Sequence, residues 1–158
     1  MAKCGFREKC MVNKCLDCNM CCKLPEIPNF KKGYAWCKNC NIGFGCKTYN
    51  DRPQKCKDFY CLYSFGLTDL KPNKCGFFIF PERKEATEHK IMTIYAEEHK
   101  LNDIPKRIMK DHKLKLLVDD QWAFHIRYNS DDNNLAIFDY WSFGMSLKKI
   151  KRGEYVHR

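Results

Sequence analysis

The sequence predicts an α+β fold in which a metal-stapled, cysteine-rich lobe of helical and irregular structure packs on a small antiparallel sheet with one or two helices. All twelve cysteines of the 158-residue chain lie at or before Cys75. Beyond that position the apolar residues follow strand and helix periods instead. Hydrophobic residues make up 44% of the chain, which is enough for a genuine core. We therefore predict one domain, residues 1–158, with a cysteine-rich metal-binding lobe at 1–75 and a strand–helix–strand and hairpin lobe at 76–158.

Short elements are expected in the cysteine-rich lobe. Residues 15–24 predict a turn or short helix that ends at Pro25 and Pro28. On a helix, cysteines three residues apart share one face, whereas Cys22 would point about 100° away, toward another site or the core. Arg52 and Pro53 together with residues 54–63 predict a helix whose first turn contains Pro53. Cys56 would lie in its interior.

The second lobe is expected to hold the core. Apolar runs predict strands at residues 76–80, 90–95 and 115–118, and Asp103 is the expected N-cap of a helix over 103–112. Apolar and polar residues alternate over 122–128, and a further strand over 135–141 follows turn residues, so 121–141 predicts a hairpin. The basic residues 148–152 are expected to be solvated.

The cellular location bears on the cysteine chemistry. The first residues show no stretch like a signal peptide, and no later segment approaches the length of a membrane span, so we expect a cytoplasmic protein without a membrane partner. In a reducing cytosol, closely spaced cysteines bind metal or do redox work more often than they form disulfides.

Charge is concentrated beside the cysteines. The formal net charge is +10, and residues 1–75 contain 14 Lys or Arg against 6 Asp or Glu. Metal-bound thiolates would offset part of this charge. Lys outnumbers Arg 22 to 7, whereas surfaces that read bases or clamp phosphates more often use Arg. Nucleic acid is thus a partner that the sequence allows but does not favour, and a protein or small-molecule partner stays unidentified.

Cysteine spacing predicts zinc sites. Cys18-x2-Cys21 followed after fifteen residues by Cys37-x2-Cys40 matches a two-knuckle zinc pattern, and Cys15-x2-Cys18 with the same second pair fits equally well. Zinc, at about two sites, is the first hypothesis.

An iron–sulfur cluster is the alternative cofactor. Cys15, Cys18 and Cys21 have ferredoxin-like spacing, but Pro25 stands where the fourth cysteine would be. A cluster would need a distant fourth ligand such as Cys46 or Cys56.

The segment also resembles a known family. Its CxxCxxCC run at residues 15–22 is followed by GCxxY at 45–49 and RPxxC at 52–56, as in the zinc- or iron-chelating CxxCxxCC cysteine-cluster proteins of bacteria. It is most similar to the branch with WCxxC at 36–40, FxC at 59–61 and LxxLxP at 67–72. Such proteins are often labelled iron–sulfur oxidoreductases, and related segments occur in flagellin lysine methylases. The resemblance implies these ligands, the last two from the closer branch: Cys15, Cys18, Cys21, Cys22, Cys37, Cys46, Cys56, Cys40 and Cys61.

Three functions follow as hypotheses. The first is a cytoplasmic metal-binding protein without a defined reaction. The second is an iron–sulfur protein with oxidoreductase or modification activity, and the third is a zinc-knuckle adaptor for nucleic acid or protein. No motif identifies a catalytic residue, and Arg52 and Tyr49 are expected to support the site rather than react. Cys4, Cys10 and Cys75 are not explained by the resemblance, and the five histidines all lie outside the cysteine segment.

Overall fold

The cysteine-rich part of the chain is built from short elements in this computed structural model, which describes residues 13, 17–81 and 90–154. Its first element among the described residues is a 3₁₀ helix at Met20–Cys22. Strands β1 (Cys40–Asn41) and β2 (Gly45–Cys46) and helices α1 (Gln54–Asp58) and α2 (Pro72–Cys75) follow. The helix expected over 54–63 thus ends at Asp58, because Phe59 adopts an extended backbone.

Five strands form a mixed sheet within the described ranges. They are β3 (Phe77–Phe80), β4 (Ile91–Ala96), β5 (Ala123–Arg127), β6 (Asn134–Phe138) and β7 (Leu147–Lys151), hydrogen-bonded in that order. Strands β5 and β6 pair antiparallel, so the hairpin over 121–141 is confirmed. The basic residues 148–152 join the edge strand β7, where their lysines remain exposed.

The α+β class is confirmed, but the sheet differs from the expected antiparallel one in its β4–β5 pair, which is parallel. Parallel neighbours need a crossover of a dozen residues or more. Here the crossover contains a 3₁₀ helix at Glu98–Asp103, α3 (Ile104–Lys110) and α4 (His112–Asp119). The strand predicted over 115–118 is therefore wrong, since those residues belong to α4.

The two faces of the sheet are covered differently. Phe77 and Ile79 of β3 pack with α3 and α4, whereas Phe78 and Phe80 pack with the cysteine-rich part. A strand buried on both faces has a continuous apolar sequence, as β3 has. On the second face, the cysteine-rich residues in contact are Cys18, Met20, Leu24, Tyr34, Phe59, Cys61 and Tyr63.

The short α5 (Tyr140–Phe143) joins β6 to β7, and the Asp139 carboxylate caps it by accepting hydrogen bonds from the amides of Trp141 and Ser142. Among the residues that the structure describes, no helix is long and apolar enough to cross a membrane.

Asp111 is a buried carboxylate at the start of α4. One oxygen accepts hydrogen bonds from the amides of Lys113 and Leu114 at 3.0 Å, and the other accepts from Thr68 Oγ1 at 2.8 Å and Asp69 N at 2.9 Å. Burial raises the pKa of Asp111, but these four hydrogen bonds together hold it below its usual value. The carboxylate thus both caps α4 and ties it to the segment before α2.

Replacing this carboxylate should be costly. We expect Asp111→Ala to lower the free energy of unfolding by about 2 kcal/mol, because a cap and charged hydrogen bonds are lost together. The effect should be full near neutral pH and shrink as the pH falls through the depressed pKa of the folded state. Urea unfolding from pH 7 to pH 3 measures this. Asp103→Ala is the matched control, since Asp103 precedes α3 without a side-chain cap hydrogen bond. Equal losses from both substitutions would contradict the assignment.

Candidate functional site

Nine of the twelve cysteines lie among the described residues, whereas Cys4, Cys10 and the predicted ligand Cys15 lie outside them. The structure separates those nine into three environments. Seven are free thiols: Cys18, Cys22, Cys37, Cys40, Cys46, Cys56 and Cys75.

Six of the described cysteines form a group that we call the thiol cluster. The thiols of Cys21 and Cys40 are the neighbouring side chains that act most strongly to lower the pKa of Cys22. The Cys40 thiol also interacts with those of Cys37 and Cys46. The complete cluster is Cys21, Cys22, Cys37, Cys40, Cys46 and Cys56.

Backbone hydrogen bonds bring these residues together. The amide of Cys37 donates to the carbonyl of Cys22 at 2.9 Å, and this bond holds the Cys37–Cys40 pair beside Cys22. In the β1–β2 hairpin, Cys40 stands directly opposite Cys46, and paired residues of this kind point to the same side. Gly43, at φ +84°, adopts a left-handed conformation that glycine favours and donates its amide to Asn19 Oδ1 at 2.6 Å.

Helix α1 contributes the last member of the cluster. Cys56 lies in its middle, half-buried. Burial raises the pKa of Cys56, and the nearby thiols of Cys22, Cys37 and Cys46 raise it further. The prediction that Cys56 lies within a helix is confirmed.

The cluster makes one thiol much more acidic than another. Hydrogen bonding from Cys21 is the largest effect that lowers the pKa of Cys22 to about 6, with Cys40, Lys31 and Arg52 acting in the same direction against burial. Burial, and then the neighbouring thiols, raise the pKa of Cys40 to about 12. The first proton therefore leaves easily, and further thiolates are opposed by the charge already present.

Two fixed cations lie beside the cluster. Lys31 Nζ is held by the carbonyl oxygens of Lys23 at 2.9 Å, Lys32 at 2.8 Å and Pro25. Burial lowers the pKa of Lys31, and the thiols of Cys37 and Cys22 oppose that shift. The structure thus adds Lys31 to the site, a residue that the sequence did not single out because a Lys-Lys pair has no characteristic motif.

Arg52 is the second cation. Its guanidinium lies 3.7 Å from the ring centre of Tyr49 and lowers the pKa values of Cys22 and Cys56. Its Nε is buried and has no hydrogen-bond partner within the described part of the chain. This donor beside several sulfurs fits the supporting role that the sequence predicts for Arg52 and Tyr49.

A second group of thiols surrounds a cavity of about 60 Å³. Burial raises the pKa of Cys18, while the amides of Met20 and Asn73 donate toward its sulfur and oppose the shift. Most of its lining side chains are aromatic or apolar. The cysteines that line it are Cys18, Cys21 and Cys61, and the other lining residues are Met20, Phe59, Tyr60, Ser64, Pro72 and Phe78.

Cys75 belongs to neither group. It is buried in the core between the sheet and the helices, and its Sγ donates to the carbonyl oxygen of Phe77 at 3.1 Å. Burial raises its pKa to about 11. The structure explains this cysteine as a core residue.

The histidines lie apart from the thiols where they are described. His99 and His112 are in the crossover, and His125 is half-buried on β5 between Thr93 and Ile137. The remaining two, His89 and His157, fall outside the described ranges.

Among the residues that the structure describes, no group of three or more His, Cys, Asp or Glu side chains is arranged to hold a metal ion. Comparison with protein-family models, with curated proteins and with solved structures finds no significant match to this chain.

Proposed function

We propose that this protein binds zinc through the thiol cluster and that the metal holds the cysteine-rich part of the chain together. The observation that supports this is that separate stretches of sequence meet here: the Cys37 amide donates to the Cys22 carbonyl at 2.9 Å, and Cys40 stands opposite Cys46 in the β1–β2 hairpin. Four thiolates in a tetrahedral arrangement are one of the usual structural zinc sites, and the thiol cluster contains six cysteines that could supply them. The cysteine spacing and the resemblance to CxxCxxCC proteins support the same proposal.

Charge balance favours a metal at this position. Zinc with four thiolates carries a charge of about −2. The two nearby cations, Lys31 and Arg52, would offset it, and the unpartnered Nε of Arg52 would gain a sulfur acceptor. Burial is the main cause that raises the pKa of Cys40, and the neighbouring thiols raise it further, so several thiolates together would need a cation to balance their charge.

The proposal requires the thiols to move closer together. Metal binding and folding are coupled in small cysteine-rich sites, so the ligands need not be fully positioned beforehand.

A second candidate is an iron–sulfur cluster at the cavity. Three cysteines line it among mostly apolar and aromatic side chains, and amides donate toward the Cys18 sulfur. Amide hydrogen bonds to sulfur and low solvent exposure are features by which proteins tune such clusters. When bound, a cluster would supply one-electron chemistry.

Elemental analysis with an absorption spectrum of anaerobically purified protein separates the two candidates. We expect about two zinc ions per chain and no visible band. Iron with equimolar sulfide and a visible band would instead support the second candidate. A metal content near zero would contradict both.

Two cysteine substitutions test the thiol cluster. Cys40→Ala should remove about one equivalent of zinc, because Cys40 interacts with three other thiols. Cys75→Ala should keep the full zinc content, since Cys75 lies in the core. Metal analysis of both variants, with circular dichroism as a check of folding, provides the measurement. Equal zinc loss in both variants would count against the assignment.

A further inference from the structure

Apolar side chains are unusually exposed on the cysteine-rich part, on the outside of the thiol cluster. Phe44 is 81% exposed, Ile42 57%, Tyr49 52% and Trp36 41%. Phe44 and Ile42 occupy the turn of the β1–β2 hairpin, where the Phe44 amide donates to the carbonyl of Asn41 at 2.9 Å. Single exposed apolar residues are normal, but several on one short segment indicate a binding surface.

The same segment is strongly basic. Residues 29–57 contain seven Lys or Arg and one acid, Asp51. Lys38 and Lys47 are exposed at the base of the hairpin, where the Lys47 amide donates to the carbonyl of Asn39 at 2.8 Å. The exposed lysines are Lys32, Lys38, Lys47, Lys55 and Lys57. A zinc–thiolate site would reduce this charge by about two units and leave it positive.

Two rings of this segment lie against cations. Arg52 lies over Tyr49 at 3.7 Å, and Lys38 Nζ lies 5.8 Å from the ring centre of Phe30. A nucleotide has a flat base that can stack on a ring and a negatively charged phosphate that can pair with a cation. Proteins that bind single strands without sequence preference combine a positive surface with aromatic side chains on which bases stack.

We propose that the surface formed by Trp36, Lys38, Phe44, Lys47 and Tyr49 binds single-stranded nucleic acid. Lysine acts as a point charge toward phosphate and does not read base edges as the arginine fork does. Binding through these lysines would therefore tolerate any sequence. In a duplex the base faces are stacked and closed to these rings, so single strands are preferred. This surface goes beyond the zinc proposal, because it uses residues that are not metal ligands.

Fluorescence anisotropy of the full-length, metal-loaded protein with a labelled oligo-dT of roughly 15 nucleotides tests the proposal. We expect a dissociation constant of about 10⁻⁶ to 10⁻⁴ M that weakens as salt is raised. Absence of binding at low salt, or equal affinity for a duplex of the same length, would overturn the proposal. Equally efficient displacement by polyglutamate would also overturn it and indicate an acidic protein partner.

Variants separate stacking from general attraction. Phe44→Leu should weaken binding by about fivefold or more, and Phe44→Trp should retain it, because only the latter offers a ring for stacking. The slope of the logarithm of the binding constant against the logarithm of the salt concentration should become about 1.4 less steep in the double variant Lys38→Gln with Lys47→Gln. It should stay unchanged in Lys148→Gln with Lys149→Gln on β7. Equal effects of the two lysine pairs, or equal binding by the two Phe44 variants, would contradict the proposed surface. Zinc content measured on each sample distinguishes a failure of this surface from a failure of the metal site.

Discussion

Stripping the zinc that we propose for the thiol cluster is expected to unfold the cysteine-rich part of the chain while the sheet and its helices stay folded. The elements between residues 17 and 61 are too short to be stable alone: a three-residue 3₁₀ helix, two strands of two residues and a five-residue helix. Zinc binding contributes on the order of 10 kcal/mol in comparable cysteine-rich peptides.

Limited trypsin digestion followed by mass spectrometry locates the unfolding. After chelation we expect rapid cleavage at Lys31, Lys38 and Lys47, and continued protection of residues in β5 and β6. The same chelator saturated with zinc is the control, and added zinc should restore the original pattern. A metal-free sample, verified by elemental analysis, whose digestion pattern does not change would show that the metal is not structural.

Helical spacing predicts that the cysteines of the first run separate, although the helix that forms, Met20–Cys22, does not include Cys18. With Cys18 and Cys21 on one face and Cys22 about 100° away, the sequence predicts two destinations. The structure places Cys18 and Cys21 at the cavity and Cys22 in the thiol cluster, with Cys21 in contact with both.

The spacing of the cysteines does not predict which cysteines of the first run lie beside Cys37 and Cys40. Either CxxC pair of the first run fits the zinc pattern with Cys37 and Cys40. In the structure these two residues lie with Cys22 instead, because the Cys37 amide binds the Cys22 carbonyl. Such a contact depends on how the intervening loop folds, and that information is not contained in the interval between cysteines.

In the sheet, too, the strands could be predicted from local sequence, whereas the pairing of strands that are distant in sequence could not. Strand β3 is evident from its four consecutive apolar residues, and β5 from its alternation. The parallel β4–β5 pair depends on a crossover and could not be seen in either strand alone. The sequence His-Lys-Leu-Lys-Leu-Leu-Val-Asp of α4 alternates at its start, which favours a strand, and only the Asp111 cap identifies the helix.

Leu114 and Leu116 of α4 should therefore respond very differently to truncation. Leu114 is fully buried against the sheet, whereas Leu116 is 68% exposed. We expect Leu114→Ala to lower the free energy of unfolding by about 2 to 5 kcal/mol, because it leaves a cavity in the core. Leu116→Ala should change it by no more than about 0.5 kcal/mol, since alanine is also the better helix former.

Urea unfolding at neutral pH, followed by circular dichroism, measures both variants, and each leucine is the matched control of the other. In a strand, residues two apart would point to the same face, and both substitutions would have similar effects. In α4 they lie on different faces, whereas Leu114 and Val118, four residues apart, are both buried. Val118→Ala should accordingly resemble Leu114→Ala, at about 1 to 3 kcal/mol for its smaller side chain. Similar losses for Leu114→Ala and Leu116→Ala would contradict the helix and restore the strand that the local alternation favours.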